Sequence, residues 1–272
     1  MKNLIINALT HFIRDVETRR RVREVLNSKR FGVETLSGGG VAPTQMDALL
    51  FYIQQLRCNA CFSGYKNAFA GRDVAVVGAG PTLSFYSPLA DVIHIGCNRV
   101  IQASNVPIDF LFRQDFKGCD TDILDSEIEK FIGIYPDWVM DMCPETTFAK
   151  LKNAHQFVIN NRSDYIPVDI SKQPVWHGGS VAFSAFQFAL YGNPRRIYLI
   201  GCDSAGQIDS LNWNHFFDDN NERKNHNIVP IPALINGWKK LKQFQEAMYP
   251  DVEVVSINPV GLKGLFQDKY LR

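Results

Sequence analysis

A four-residue apolar run, Val74-Ala75-Val76-Val77, leads directly into Gly78-Ala79-Gly80-Pro81-Thr82-Leu83. A short apolar run of this kind reads as a buried strand, and the glycines after it demand a tight turn. Small residues there let another backbone or a ligand come close. A strand end followed by a helix start also exposes N–H groups that suit phosphate oxygens. The dinucleotide fingerprint is absent, because it needs a third glycine where the chain has Leu83. Pro81 also removes one donor. Gly78, Ala79, Gly80, Pro81 and Thr82 are therefore candidate nucleotide contacts. A turn required only by packing is the alternative.

From residue 73 onward, short apolar segments alternate with helical ones. Strands are expected near 74–77, 92–96, 110–113, 131–135, 156–159, 196–200 and 252–257. Helices are expected over 181–191 and 232–248. This rhythm predicts an α/β fold: a Rossmann-like open, mostly parallel sheet with helices on both faces. Residues 1–70 read differently. Phe12, Val16, Val22, Val25 and Leu26 recur at roughly helical spacing, Ser37-Gly38-Gly39-Gly40 breaks the pattern, and a second helix begins near 44. The expected organisation is a helical N-terminal appendage, 1–70, and a nucleotide-binding domain, 71–272. The appendage would cover the sheet or join subunits into a homo-oligomer.

Composition narrows the function classes. Lys+Arg 29 against Asp+Glu 28 leaves a net charge of +1, which argues against a nucleic-acid groove or a polybasic membrane patch. No run of eighteen apolar residues occurs, so no transmembrane segment is expected, although peripheral membrane contact stays open. Charged residues follow the first short apolar stretch too soon for a signal peptide. Six scattered cysteines point to reduced thiols and a cytoplasmic location. Cys58 and Cys61 form a single C-x-x-C, and a zinc site needs a second pair.

Polar residues follow the strands one after another. In open parallel sheets, ligands bind at the carboxyl ends of strands, so these tips should line one crevice. Asn98 can meet a ribose or a base edge, or simply make its own turn. Gln114 and Asp115 follow the third strand; Asp115 could hold a metal, accept a proton or cap a helix. Gly178-Gly179-Ser180 opens a helix of small and apolar residues and makes a second anion cradle, with N-capping by Ser180 compatible with that role. Asp203 follows the strand near 196–200 as a metal-ligand or general-base candidate. His215 and His226 lie in a polar insert that would overhang the crevice, where either could transfer a proton. Zinc-protease, P-loop and nucleophile-elbow motifs are missing.

Taken in order, Gly-Ala-Gly-Pro-Thr-Leu, Gly-Cys-Asn, the helix opening with Gly-Gly-Ser, Tyr-Leu-Ile-Gly-Cys-Asp and Ile-Asn-Pro resemble a superfamily with two branches. One is 6-hydroxymethylpterin diphosphokinase-like; the other is the bacterial sialyltransferases that use CMP-sialic acid. The resemblance spans roughly residues 65–265. It implies that 78–82 and Asn98 meet the nucleotide, that Gly179 and Ser180 stand at the donor, and that Asn258 and Pro259 flank the base or sugar. The chain departs from the sialyltransferases in two places. Ser204, Ala205 and Gly206 replace the tyrosines that help the CMP phosphate leave, and 229–232 holds no base histidine.

Three readings follow. The first is a metal-independent, cofactor-free glycosyltransferase of surface-glycan synthesis, using a CMP-type sugar and a small-molecule or glycan acceptor. The second is a diphosphokinase in which Asp115 and Asp203 hold Mg2+ against ATP. The third is a non-catalytic nucleotide-binding scaffold.

Overall fold

The computed structural model describes residues 59–114, 123, 126–134, 148–160, 164–204 and 230–271. Its nine strands are β1 (Asp73–Val77), β2 (Val92–Cys97), β3 (Phe110–Arg113), β4 (Glu129–Ile134), β5 (Ala154–Asn160), β6 (Val175–Trp176), β7 (Arg196–Ile200), β8 (Glu253–Ile257) and β9 (Gln267–Lys269). The described α-helices are α1 (Val181–Tyr191) and α2 (Ile231–Met248). Short 3-10 helices, Pro81–Phe85 and Asn98–Gln102, follow β1 and β2.

The strands form one sheet in the order β6-β5-β4-β3-β2-β1-β7-β8-β9, and every neighbouring pair is parallel. The fold is thus an open, Rossmann-like α/β sheet, and it places every carboxyl-terminal strand end on one rim. From β1 to β6 the chain advances across one half of the sheet. It then crosses back through α1 to lay β7 on the other side of β1. The reversal of strand order between β1 and β7 is where an open sheet of this class forms its ligand crevice.

Both faces of the sheet are covered, which explains the continuous apolar runs. Alternation along β1 sends Val74 and Val76 to one core and Ala75 and Val77 to the other. The first core lies under α1 and α2. Phe62 is its centre, with ring centroids 5.1–6.2 Å from Phe112, Phe131, Phe157 and Phe188. Phe183 and Phe186 of α1 meet Trp238 of α2 edge-on at 4.9 and 5.6 Å. The second core packs Leu83, Tyr86 and Val100 from the short 3-10 connections onto β1 and β7.

Phe62, Tyr65 and Phe69 fall within the stretch read from sequence as an appendage, yet their rings belong to the first core. Asn59 also reaches into it: its amide donates to the Ile170 and Gln173 carbonyls, and its oxygen accepts from the Val158 N–H. The rest of the expected appendage lies outside the described residues. No helix among the described residues is long and apolar enough to cross a membrane.

Candidate functional site on the carboxyl rim

The turn after β1 is closed against the end of β7. The Gly78 N–H donates to the Ile200 carbonyl at 2.7 Å, and the Gly80 N–H donates to the Gly201 carbonyl at 2.8 Å. The Thr82 N–H and hydroxyl both donate to Asp203, at 2.9 Å to Oδ2 and 2.5 Å to Oδ1. A Cβ on Gly78 would lie 2.5 Å from the Gly201 oxygen, and one on Gly80 would lie 2.3 Å from Asp203 Oδ2. Glycine is needed here so that two backbones can touch. The N–H groups expected to be open to phosphate at Gly78, Gly80 and Thr82 therefore bolt β1 to β7. Burial pushes the Asp203 carboxyl above its ordinary range, opposed by the two bonds from Thr82. With both oxygens engaged, Asp203 acts as a clamp between the two strand tips.

A polar chain continues along the rim from β2. Asn98 takes a left-handed conformation at φ 51°, which asparagine tolerates better than most residues. Its side-chain oxygen accepts from the Gln114 N–H at 3.2 Å, tying the β2 tip to the β3 tip. The Gln114 amide nitrogen donates to Ser184 Oγ in the first turn of α1 at 2.7 Å. Gln114 is only 2% exposed, and its Oε1 has no hydrogen-bond partner among the described residues. A buried acceptor left this way costs about 1–3 kcal/mol. Gly133 of β4 makes room for this side chain, since a Cβ there would lie 2.9 Å from Gln114 Cγ.

The turn into α1 is open where the turn after β1 is closed. His177 extends β6, its N–H donating to the Asn160 carbonyl at 3.0 Å. Gly178 and Gly179 then have φ of 55° and 96°, and the Ser180 N–H closes the turn onto the His177 carbonyl at 3.1 Å. Two successive positive φ values explain the paired glycines. Ser180 caps α1, its Oγ accepting from the Ala182 N–H at 3.3 Å. The N–H groups of Gly178, Gly179 and Val181 carry no hydrogen bond among the described residues. They stand at the positive end of an eleven-residue helix.

On the other side of β7, Asn258 turns at φ 47° after β8, its N–H donating to the Lys269 carbonyl and its Oδ1 accepting from the Leu271 N–H. That side chain pins the strand beyond it. Pro259 is buried next to it. The Gly261 N–H donates to the Asp203 carbonyl, and Trp238 Nε1 donates to Ser204 Oγ, so the loops after β7 and β8 are joined to α2.

The structure therefore sets Gly78–Thr82, Asn98, Gln114, Gly178–Ser180, Asp203, Asn258 and Pro259 on one rim. The candidates Asp115, His215 and His226 lie outside the described residues. Two rim residues escape a reading of the sequence. Arg113, the last residue of β3, is 1% exposed, and His177 precedes the open turn. Neither sits in a motif: Arg113 is concealed in a strand, and the two-residue strand before His177 is too short to leave a pattern. Among the described residues, no three His, Cys, Asp or Glu side chains converge as metal ligands do.

No family model matches this sequence, and no curated protein matches it. Among solved structures, the chain is similar to the MAf glycosyltransferase from Magnetospirillum magneticum AMB-1, at 15% identity and a TM-score of 0.48. The similarity covers 84% of this chain, which spans 40% of the length of that one.

Proposed function

We propose that this chain is a nucleotide-dependent transferase, a glycosyltransferase that takes a nucleotide sugar of the CMP type and passes the sugar to a small-molecule or glycan acceptor. The observation that carries this reading is the pairing, on one rim, of two features that lack partners among the described residues. One is the set of open N–H groups at Gly178, Gly179 and Val181. The other is the buried, unpartnered acceptor of Gln114, held against the same helix end by Ser184. A nucleotide phosphate supplies acceptors for the first, and a ribose hydroxyl or base amino group supplies a donor for the second. Asn98 sets the Gln114 backbone, and the Gly78–Thr82 turn walls the crevice. Phosphate is held by amides and a helix end, with no dedicated lysine, so the leaving group is stabilised by preorganised dipoles. The acceptor's proton passes to one of the candidates outside the described residues, Asp115, His215 or His226.

The diphosphokinase reading needs Asp203 for magnesium, and both of its oxygens accept from Thr82. Calorimetry with CMP and with ATP, each with and without magnesium, separates the readings. CMP binding that is indifferent to magnesium is the expected result. ATP binding that requires magnesium, with no CMP binding, overturns the proposal.

A further inference from the structure

The connection from β1 to β2 is gathered on one side chain. Tyr86 ends the 3-10 helix Pro81–Phe85, its N–H donating to the Leu83 carbonyl. Its own carbonyl accepts from Asn105 Nδ2 at 3.0 Å, and its hydroxyl accepts from the Leu89 N–H at 3.1 Å. The hydroxyl also lies 2.9 Å from Nε2 of His94 in β2. Both side chains are buried, His94 to 1% exposure. Nδ1 of His94 lies 3.0 Å from the Val92 carbonyl, which can only accept, so Nδ1 carries the proton and Nε2 is the acceptor. Tyr86 therefore donates to Nε2, and ring and phenol are both satisfied while the imidazole is neutral.

We propose that the Tyr86–His94 pair is an acid-released latch: a proton taken up on His94 Nε2 breaks the hydrogen bond from Tyr86 and loosens residues 81–91, which lead from the Gly78–Thr82 turn to β2, while the sheet stays folded. The proton comes from solvent and adds to the Nε2 lone pair; no other covalent bond forms or breaks. An N–H then faces a phenol oxygen that already accepts from Leu89, and the phenol proton loses its acceptor in a buried place. Turning the imidazole does not remove the conflict, because Nδ1 is held at Val92. β2 is bonded to β1 on one side and β3 on the other, so the connection gives way before the strand does. The latch stands on the fold and does not require a nucleotide in the crevice.

The charged surroundings do not hold the ring protonated. Among the described residues, Asp109 at the start of β3 is the acidic side chain that acts on His94, and its Oδ2 already accepts from the His94 N–H at 2.7 Å. Tyr198 of β7 acts on Tyr86, and its own hydroxyl and ring are engaged with Asp73, Arg196 and Lys269. Burial outweighs Asp109 and lowers the imidazole below its ordinary value of 6.5, while burial raises the Tyr86 phenol. The folded chain thus resists a proton that the unfolded chain takes up. The latch is whole above 6.5 and weakens as pH falls from there through the lowered midpoint.

Amide hydrogen exchange of the full chain, corrected for intrinsic rates and read by NMR from about pH 8 to about pH 4, tests the latch. The Leu89 amide is expected to lose protection by about tenfold or more as His94 titrates, while the amides of Val76 and Ile95 keep theirs. Tyr86→Phe should leave Leu89 poorly protected at every pH. Asp203→Asn, which removes the titrating carboxyl of the rim, should keep the wild-type dependence at Leu89. Should Tyr86→Phe fail to fold, the midpoint of the His94 ring signals in the wild type must coincide with the change at Leu89. Leu89 protection that is flat across the range overturns the latch. A loss shared equally by Val76 and Ile95 also overturns it, because that is unfolding of the sheet.

Discussion

At the residue scale, Gly78 and Gly80 let two backbones touch, whereas Gly178 and Gly179 supply a turn of positive φ. Gly80→Ala places a methyl group against Asp203 and the Gly201 carbonyl, and should cost about 1–3 kcal/mol in urea unfolding. Asp203→Ala leaves the Thr82 N–H and hydroxyl without an acceptor, and should cost about 1–3 kcal/mol, with Asp203→Asn milder. The pH dependence has a definite sign. The Asp203 carboxyl is raised by burial, so the folded state holds its proton more tightly than the unfolded chain does. Its contribution to stability is full below the ordinary value of 3.8 and is lost as pH rises through the raised midpoint. Unfolding of Asp203→Asn at several pH values should lack that loss.

At the element scale, β1 is held at both ends, by the Gly78–Gly201 contact at the rim and by Asp73 at the base. Asp73 accepts from Arg195 Nε at 2.8 Å and lies 3.7 Å from Arg196. The bond from Arg195 is the main cause of its lowered carboxyl pKa. That stabilisation is present above 3.8 and is lost as pH falls through the depressed midpoint, opposite in sign to Asp203. Asp73→Asn should flatten the acid limb below about pH 4 in a stability titration, by less than about 1 kcal/mol because Arg195 is exposed.

Much of this layer was legible from residues. Apolar runs bounded by glycine or polar tips located β3, β7 and α1, because a strand buried on both faces has a continuous apolar signature. What was hidden has physical reasons. β6 is two residues long, and β9 reads Gln-Asp-Lys at the sheet edge, so neither carries a pattern. The sequence showed that Gly78 and Gly80 make a tight turn, but whether their N–H groups face a ligand or β7 depends on a partner more than a hundred residues away. For Gly178-Gly179-Ser180, two positive φ values and the Ser180 cap follow from local geometry, so the turn was readable there.

At the scale of the whole molecule, the core of the sheet takes in residues from before β1. Phe62 lies far along the chain from Phe157 and Phe188 yet packs against both rings, so the described stretch before β1 is part of the folded core. Phe62→Ala should destabilise by about 3–5 kcal/mol, read as a fall in the urea midpoint.

The central claim is that the open turn at the start of α1, and not the closed turn after β1, receives the nucleotide phosphate. Backbone amide NMR during a CMP titration tests it most directly. The amides of Gly178, Gly179 and Val181 should shift in a saturable way, while those of Gly78 and Gly80, already bonded to β7, stay close to their unliganded positions. Saturable shifts at Gly78 and Gly80 with none at Gly178 and Gly179 would contradict the account.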